Sequence, residues 1–233
     1  MLSLYYYTQL SLRLSCSRAH ALSLSLSLSD YLPRTQPYES KCVEFSKQGH
    51  KAPEIMALNP RGQVPTFLDE DGTVVAESLA AVLYLDRRYP SQGTLLVPAD
   101  PAAAGAVLQR TMEAGVLHHK ISDVIYPKMK NTLSSEESIA AWNEKVEALK
   151  AELAVWEGYL AGKKDFLCGS FSAADAALAP FILGVRRFGG SLASFPSLAA
   201  YADRCAARPS IASSWPPHWK DSEGPGWMGG VGL

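Results

Sequence analysis

The stretch NPRGQVPTF, from Asn59 to Phe67, contains residue types whose spacing fits a ligand-binding loop. Pro65 follows Val64 at the start of a strand-like run, and a proline there can adopt the cis form and turn the preceding backbone outward. An open main-chain N–H and C=O pair in front of such a proline can bind an extended peptide as an added strand. The stretch therefore predicts a peptide-binding edge at Val64.

A second candidate binding pair, Glu77 and Ser78, begins twelve residues after Pro65, at the start of a predicted helix. A helix N-terminus offers amides without intrahelical partners and the positive end of the helix dipole, so these amides and the Ser78 hydroxyl can hold a carboxylate. The Glu77 carboxylate can bind an ammonium group. The alternative is that both residues only cap the helix. Together with Val64, the pair predicts a site for a small zwitterionic peptide.

Short strands and turns position these residues in the first third of the chain. LSLYYY, from Leu2 to Tyr7, and SKCVEF, from Ser40 to Phe45, are rich in strand-forming residues. The run after Pro65 predicts a strand, an Asp-Gly turn and a second short strand. Apolar residues at helical spacing follow and stop before Pro90. The proline- and glycine-containing connector at residues 91–100 then predicts a domain boundary.

Beyond the connector the sequence is helical in character. From Ser135 to Ala161, apolar residues recur at alternating steps of three and four, which predicts a helix with one stripe facing a core. The stripe contains Ile139, Trp142, Val146, Leu149, Leu153, Trp156 and Leu160. Ser172 and Asp175 have the spacing of a capping box at the start of another helix. The glycine-rich end, residues 221–233, predicts a flexible tail.

The bulk composition narrows the range of partners. The 233 residues are 47% hydrophobic, which supplies a sizeable core, and the formal net charge of −1 argues against nucleic acid or an anionic membrane as a partner. No apolar run approaches the roughly 20 residues that span a bilayer. The cysteines lie far apart, which argues against a zinc site or disulfide framework and favours a reducing, cytoplasmic setting. They are Cys16, Cys42, Cys168 and Cys205.

Two long segments resemble one known family. HKAPEIMALNPRGQVPTFLDEDGTVVAESLAAVLYLDRRYP, from His50 to Pro90, is similar to the amino-terminal domain of soluble glutathione transferases, and FLCGSFSAADAALAP, from Phe166 to Pro180, is similar to part of their helical domain. The resemblance covers Lys41 to Trp219 and is greatest to the rho class. It implies an α/β thioredoxin-like domain at 1–90, a linker at 91–100, an all-α helical domain at 101–220 and a tail at 221–233.

The resemblance also implies roles for individual residues in binding glutathione. Val64 would pair with the cysteinyl backbone of glutathione, whereas Glu77 and Ser78 would hold its γ-glutamyl group. His50 and Lys51 lie where related classes contact the glycine carboxylate, and a cation is favourable there; the alternative is that both are loop surface. The complete implied set is His50, Lys51, Gln63, Val64, Pro65, Glu77 and Ser78.

The implied reaction is conjugation of the glutathione thiol to hydrophobic electrophiles, with glutathione as co-substrate and with neither a metal nor a prosthetic group. In this family a hydroxyl that follows the first strand stabilises the thiolate. Ser11 is favoured by its distance from the strand and Ser15 by its adjacency to Cys16, so we predict that one of these serines is catalytic. Tyr6 or Tyr7 could act instead. A thiol transferase or dehydroascorbate reductase that uses Cys16 is an alternative activity.

Residues 11–37 depart from the family pattern. ALSLSLSLSD, from Ala21 to Asp30, alternates leucine and serine where the family has its first helix, and alternation is a strand signal. Tertiary packing could impose a helix on the segment, but an irregular insertion or a mistranslated segment explains it better. The basic, serine-rich first 29 residues also resemble a transit peptide, although the family's first strand lies among them. A catalytically silent binding protein is therefore a further alternative.

The resemblance implies that the acceptor pocket lies between the two domains. The first helical segment after the linker would form one wall, with Met112, Val116 and Tyr126 as the predicted contacts. Residues at this spacing also suit a helical core, which is the competing interpretation. The family further implies a homodimer in the cytoplasm.

Overall fold

The computed structural model describes residues 2–7, 38–44, 47–90, 95–162, 165–215 and 223–233. A four-stranded sheet with two helices comes first, and its elements are β1 (Leu2–Tyr7), β2 (Tyr38–Val43), α1 (Pro53–Leu58), β3 (Thr66–Leu68), β4 (Val74–Val75) and α2 (Ser78–Arg88). Five described helices follow, namely α3 (Pro101–Lys130), α4 (Glu136–Leu160), α5 (Ala173–Arg187), α6 (Pro196–Ala206) and α7 (Pro209–Ser214). None of the helices in these ranges is long and apolar enough to cross a membrane.

The sheet has the strand order β2-β1-β3-β4. β1 runs parallel to β2, with Tyr7 opposite Val43, and antiparallel to β3, with Tyr5 opposite Thr66. β3 and β4 form the hairpin expected from the Asp-Gly turn, with Phe67 opposite Val75. The register brings the ends of β1, β2 and β4 and the start of β3 to the same end of the sheet.

The linker is held from both sides. Asp86 of α2 is 2% exposed, and its carboxylate accepts hydrogen bonds from the main-chain N–H groups of Leu96 at 2.7 Å and Val97 at 3.2 Å. The Leu96 carbonyl accepts a hydrogen bond from the N–H of Ala173, at the start of α5, at 3.0 Å. The linker residues therefore connect the last helix of the sheet unit to a central helix of the helical unit.

Helix α5 forms the centre of the helical unit, and each of its residues from Ala173 to Val185 is buried. The capping box expected at its start is present. The Asp175 carboxylate accepts hydrogen bonds from the Ser172 N–H at 2.9 Å and from the Leu167 N–H at 3.0 Å. The acid thus closes the first turn of α5 and also fixes the chain that leads into it.

The apolar stripe on α4 is confirmed over most of its length. Val146, Leu149, Leu153, Trp156 and Leu160 are buried. Trp142 is half-buried, and its indole N–H donates to the Val124 carbonyl at 2.9 Å. Ile139 is 43% exposed because it lies in the first turns of α4, before the helix is covered by its neighbours. The stripe therefore faces the core only from Trp142 onward.

The C-terminal residues 223–233 differ from the flexible tail that the sequence predicted. Met228, Val231 and Leu233 are buried in the same core as α5. The Met228 N–H donates to the Phe188 carbonyl at 2.7 Å, and the Ser194 hydroxyl donates to the Leu233 carbonyl at 2.9 Å. The apolar side chains between the glycines are what hold this segment against the end of α5.

Glu157 on α4 provides a pH-dependent contact, because its carboxylate accepts the N–H groups of Ser197 and Leu198, both at 2.9 Å, in the first turn of α6. Burial raises the pKa of Glu157, but the hydrogen bonds from Leu198 and Ser197 outweigh it and lower the pKa below the ordinary value. We expect Glu157→Gln to reduce the free energy of unfolding by about 1–2 kcal/mol at pH 7, as measured by urea denaturation.

The sign of the pH effect follows from the lowered pKa. The stabilisation is present above the ordinary carboxyl pKa and is lost as the pH falls through the lower folded-state pKa of Glu157. The stabilities of wild type and Glu157→Gln should therefore converge once the pH lies below that folded-state pKa. Glu147→Gln is the matched control, since Glu147 is exposed on α4 and forms an ion pair with Lys150 at 2.7 Å on the helix surface. It should change stability by less than about 0.5 kcal/mol. A Glu157→Gln effect that stays constant with pH would contradict the assignment.

Candidate functional site

One end of the sheet collects most of the residues predicted to bind a ligand. His50 and Lys51 follow the end of β2, and Val64 and Pro65 immediately precede β3. The pair 77–78 follows β4, whose end lies beside the start of β3 because the two strands are antiparallel. The strand register therefore brings together three segments that are separate in the sequence.

Val64 presents an open main-chain edge at this end of the sheet. The peptide bond between Val64 and Pro65 is cis, as the sequence suggested, and the Val64 side chain is buried. The first antiparallel pair of β3 with β1 is Thr66 with Tyr5, so Val64 lies outside the ladder. Within the part of the chain that the structure describes, the N–H and C=O of Val64 have no hydrogen-bond partner. These two groups can therefore pair with the main chain of an extended ligand.

Helix α2 contributes its N-terminus to the same region. Glu77 is the residue before the first helical turn, has an extended backbone, and is exposed to solvent. Ser78 is the first helical residue and is 3% exposed. The first amides of a helix lack intrahelical acceptors, so they and the Ser78 hydroxyl form a local group of donors. Glu77 adds a negative charge beside them, and this arrangement suits a group that carries both a carboxylate and an ammonium.

Lys51 supplies a positive charge to the loop before Val64. Its ammonium group donates to the Arg61 carbonyl at 2.9 Å. The next residue, Gly62, has a φ of 57°, and a Cβ there would lie 2.7 Å from the Lys51 nitrogen and 2.8 Å from the sulfur of Met56. Glycine is therefore required both by the backbone conformation and by the closeness of Lys51.

His50 differs from its neighbour in charge. It is half-buried, and burial together with the positive charge of Lys51 lowers the pKa of His50 below its ordinary value of 6.5. The imidazole is therefore neutral at pH 7. Of the two residues predicted to contact a carboxylate, Lys51 is the one that provides the cation.

Two site residues were missed by the sequence reasoning. Asn59 is 2% exposed and Thr66 is fully buried, and both donate hydrogen bonds to the main-chain carbonyl of Gln63, at 2.9 Å from Asn59 and 3.0 Å from Thr66. The Gln63 side chain itself is exposed. Polar residues on both sides of the apolar Val64–Pro65 pair were the available signal, but their convergence on one carbonyl is visible only in three dimensions.

The predicted catalytic serines, Ser11 and Ser15, and the alternative nucleophile Cys16 lie outside the described residues. β1 ends at Tyr7, at the end of the sheet that carries Val64. The assignment of the catalytic hydroxyl stays a prediction.

The predicted contacts to the second substrate lie on α3. Met112 and Val116 are one turn apart on the same face and are 52% and 46% exposed, whereas Tyr126 is half-buried. The helical rise separates Met112 from Tyr126 by about 21 Å along the axis. A single small electrophile would therefore contact one end of this set and not the other.

A separate cavity of about 540 Å³ lies between the start of α3, the end of α4 and residues 167–169. Its walls are mainly apolar, and its one cationic side chain, Arg110, lies over the Tyr159 ring at 3.6 Å and pairs with Glu113. In the described part of the chain, the walls of this cavity include none of the residues predicted to bind substrate.

Comparison with known proteins gives consistent matches across the chain. The family model for the glutathione S-transferase N-terminal domain matches residues 31–88, and the model for the C-terminal domain of the same family matches residues 117–209. Glutathione S-transferase A of Pleuronectes platessa is 40% identical over 189 residues, which are 80% of this chain and 83% of that protein.

Similar proteins of known structure share the architecture. The crystal structure of a glutathione S-transferase from the Antarctic clam Laternula elliptica gives a TM-score of 0.84 at 33% identity and covers 99% of both chains. A glutathione transferase homologue from Sulfitobacter, crystallised with bound glutathione, gives a TM-score of 0.69 at 25% identity and covers 91% of this chain and 96% of that one. These matches confirm the expected fold class, a thioredoxin-like α/β unit followed by a helical unit.

Proposed function

Because the chain belongs to the glutathione S-transferase family, we propose that it binds glutathione at the Val64 end of the sheet and conjugates the thiol to hydrophobic electrophiles. The observation that carries this proposal is the open main-chain edge of Val64 beside the N-terminus of α2. The family name of the relatives and the glutathione bound to the Sulfitobacter homologue support the choice of ligand.

The main chain and the two charged ends of glutathione each have a counterpart in the described residues. The cysteinyl main chain pairs with the N–H and C=O of Val64 as an added strand would. The carboxylate of the γ-glutamyl residue accepts hydrogen bonds from the Ser78 hydroxyl and the first amides of α2, and the ammonium group of the same residue binds the Glu77 carboxylate. The glycine carboxylate lies nearest to Lys51, whose charge favours it.

The chemistry follows from stabilising the thiolate. A free cysteinyl thiol has a pKa near 8.5, so only a small fraction is ionised at neutral pH. A hydroxyl that donates to the sulfur lowers this pKa, and we assign that role to Ser11 or Ser15. With an aryl chloride as acceptor, the thiolate forms a carbon–sulfur bond and the carbon–chlorine bond breaks, so that chloride leaves with the electron pair. Met112, Val116 or Tyr126 would contact the apolar acceptor.

Within the family we assign the chain to the rho class and expect it to be a cytoplasmic homodimer. The sequence pattern from Lys41 to Trp219 carries the class assignment. The 40% identity to glutathione S-transferase A of Pleuronectes platessa supports membership of the family and does not distinguish a class within it.

The test of the proposed function is retention of the folded full-length protein on immobilised glutathione, followed by a chlorodinitrobenzene conjugation assay on the eluate. We expect retention and turnover that depend on added glutathione. Retention without turnover of this or other electrophiles would favour a silent binding protein. If folded protein shows neither retention nor turnover, the proposed function is wrong.

Ser78→Ala tests the γ-glutamyl contact. The substitution removes a hydroxyl that would donate to a carboxylate, so we expect the dissociation constant of glutathione to rise about 10-fold or more, measured by isothermal titration calorimetry. Ser135→Ala is the matched control, because the Ser135 hydroxyl caps α4 by accepting the Ser138 N–H at 3.1 Å. It should cost about 1 kcal/mol of stability and leave glutathione affinity unchanged. Equal affinities for the two variants would exclude Ser78 as a ligand contact.

A further inference from the structure

The main-chain carbonyl of Gln63, in the loop before Val64, is fixed by hydrogen bonds from two side chains. Its oxygen accepts two hydrogen bonds from buried side chains, the Asn59 amide at 2.9 Å and the Thr66 hydroxyl at 3.0 Å. Asn59 is held in turn, since its side-chain oxygen accepts the Arg61 N–H at 3.1 Å and its main-chain carbonyl accepts the Gly62 N–H at 2.8 Å. The donors come from opposite ends of the loop, one from the residue after α1 and one from β3.

This carbonyl controls the direction of the neighbouring amide. Gln63 C=O and Val64 N–H belong to the same planar peptide group, in which the two bonds point in opposite directions. Fixing the oxygen toward Asn59 and Thr66 therefore fixes the Val64 N–H on the opposite side of the loop. That N–H is one of the two groups that have no partner within the described residues and lie at the open edge.

We propose that Asn59 and Thr66 are positioning residues that hold the Gln63–Val64 peptide plane in the orientation that binds the cysteinyl main chain of glutathione. The inference rests on the proposed function and deepens it. Neither side chain contacts the ligand in this account. Both act by removing the rotational freedom that the peptide group would otherwise lose on binding.

The test measures the dissociation constant of reduced glutathione by isothermal titration calorimetry, together with KM and kcat for conjugation. Thr66→Val keeps the shape of the side chain and removes the donor, so we expect the dissociation constant and KM to rise roughly 5- to 10-fold while kcat changes less than about twofold. Thr66→Ser restores the hydroxyl and should restore the affinity to within about twofold of wild type.

Thr111→Val is the control for a purely structural effect. Thr111 is also fully buried, and its hydroxyl donates to the Val107 carbonyl at 2.8 Å, but it lies on α3. It should lower stability about as much as Thr66→Val and leave glutathione affinity unchanged. If Thr66→Val binds glutathione as tightly as Thr111→Val, the proposal is overturned.

Asn59→Asp provides a second route to the same measurement if Thr66→Val does not fold. It keeps the acceptor for the Arg61 N–H but replaces the donor to Gln63 by an oxygen, so the affinity should again fall. Unchanged affinity in Asn59→Asp would also overturn the proposal. Wild type is titrated in parallel. If wild type does not bind glutathione, the proposed function itself is overturned. If wild type binds and the variants bind with equal affinity, only the positioning role is overturned.

Discussion

Replacing Asp175 by alanine is expected to lower the free energy of unfolding by about 2–5 kcal/mol, because two buried main-chain donors lose their acceptor. The Asp175 carboxylate is fully buried and accepts the N–H groups of Leu167 and Ser172 and the Ser172 hydroxyl, all within 3.0 Å. Asp175 is 0% exposed, so its hydrogen-bond donors are shielded from bulk solvent in the folded protein. Urea denaturation at pH 7, followed by circular dichroism, measures the change.

Two further variants distinguish the stability provided by the buried hydrogen bonds of Asp175 from that provided by an exposed helix cap. Asp175→Asn keeps one acceptor oxygen, so its loss of stability should be smaller than that of Asp175→Ala. Ser135→Ala removes an exposed cap at α4 and should cost only about 1 kcal/mol, since water can satisfy the freed amide. If Asp175→Ala costs no more than Ser135→Ala, the buried hydrogen bonds do not provide the stability that we assign to them.

Features that depend on neighbouring residues in the sequence were predictable. The Ser172–Asp175 capping box needs only a three-residue spacing, and the β3–β4 hairpin needs only an Asp-Gly turn between strand-forming residues. The α4 stripe follows from helical periodicity, and it failed only at Ile139, where tertiary cover and not periodicity decides exposure. The position of Val64 outside the ladder was also predictable, since a proline at a strand start restricts the local backbone, whereas ligand binding at this edge stays a prediction.

Features that depend on distant segments were not predictable from one sequence. The glycines near the C-terminus suggested flexibility, but Met228 and Leu233 are buried in the same core as α5, a long-range contact that no local pattern reveals. The role of Thr66 depends on its distance from the Gln63 carbonyl, and that distance is set by the loop between them. The alternation in ALSLSLSLSD gave a strand signal where the family has a helix, and this segment lies outside the described residues.

Asp86→Ala is expected to lower stability and to release the linker from α2. The substitution leaves the N–H groups of the buried residues Leu96 and Val97 without their acceptor, so we expect a loss of about 2–4 kcal/mol in the free energy of unfolding. The linker should also become accessible to proteases, because the contact between α2 and residues 96–97 is what holds it on that side. Limited proteolysis should therefore cleave the variant between residues 90 and 101 faster than wild type.

Asp100→Ala is the matched control for Asp86, because Asp100 also accepts a main-chain N–H near the linker, that of Ala103 at 2.9 Å, but is exposed. It should cost about 1 kcal/mol and leave linker cleavage unchanged. Equal cleavage rates for the Asp86→Ala and Asp100→Ala variants would show that α2 does not hold the linker through Asp86.

Asp86 also predicts a pH dependence of stability. Burial raises the pKa of Asp86 more than the hydrogen bonds from Leu96 and Val97 lower it. The contribution of Asp86 to the free energy of unfolding of wild type therefore falls as the pH rises from the ordinary carboxyl pKa to the raised folded-state pKa, and Asp86→Asn should lack this slope.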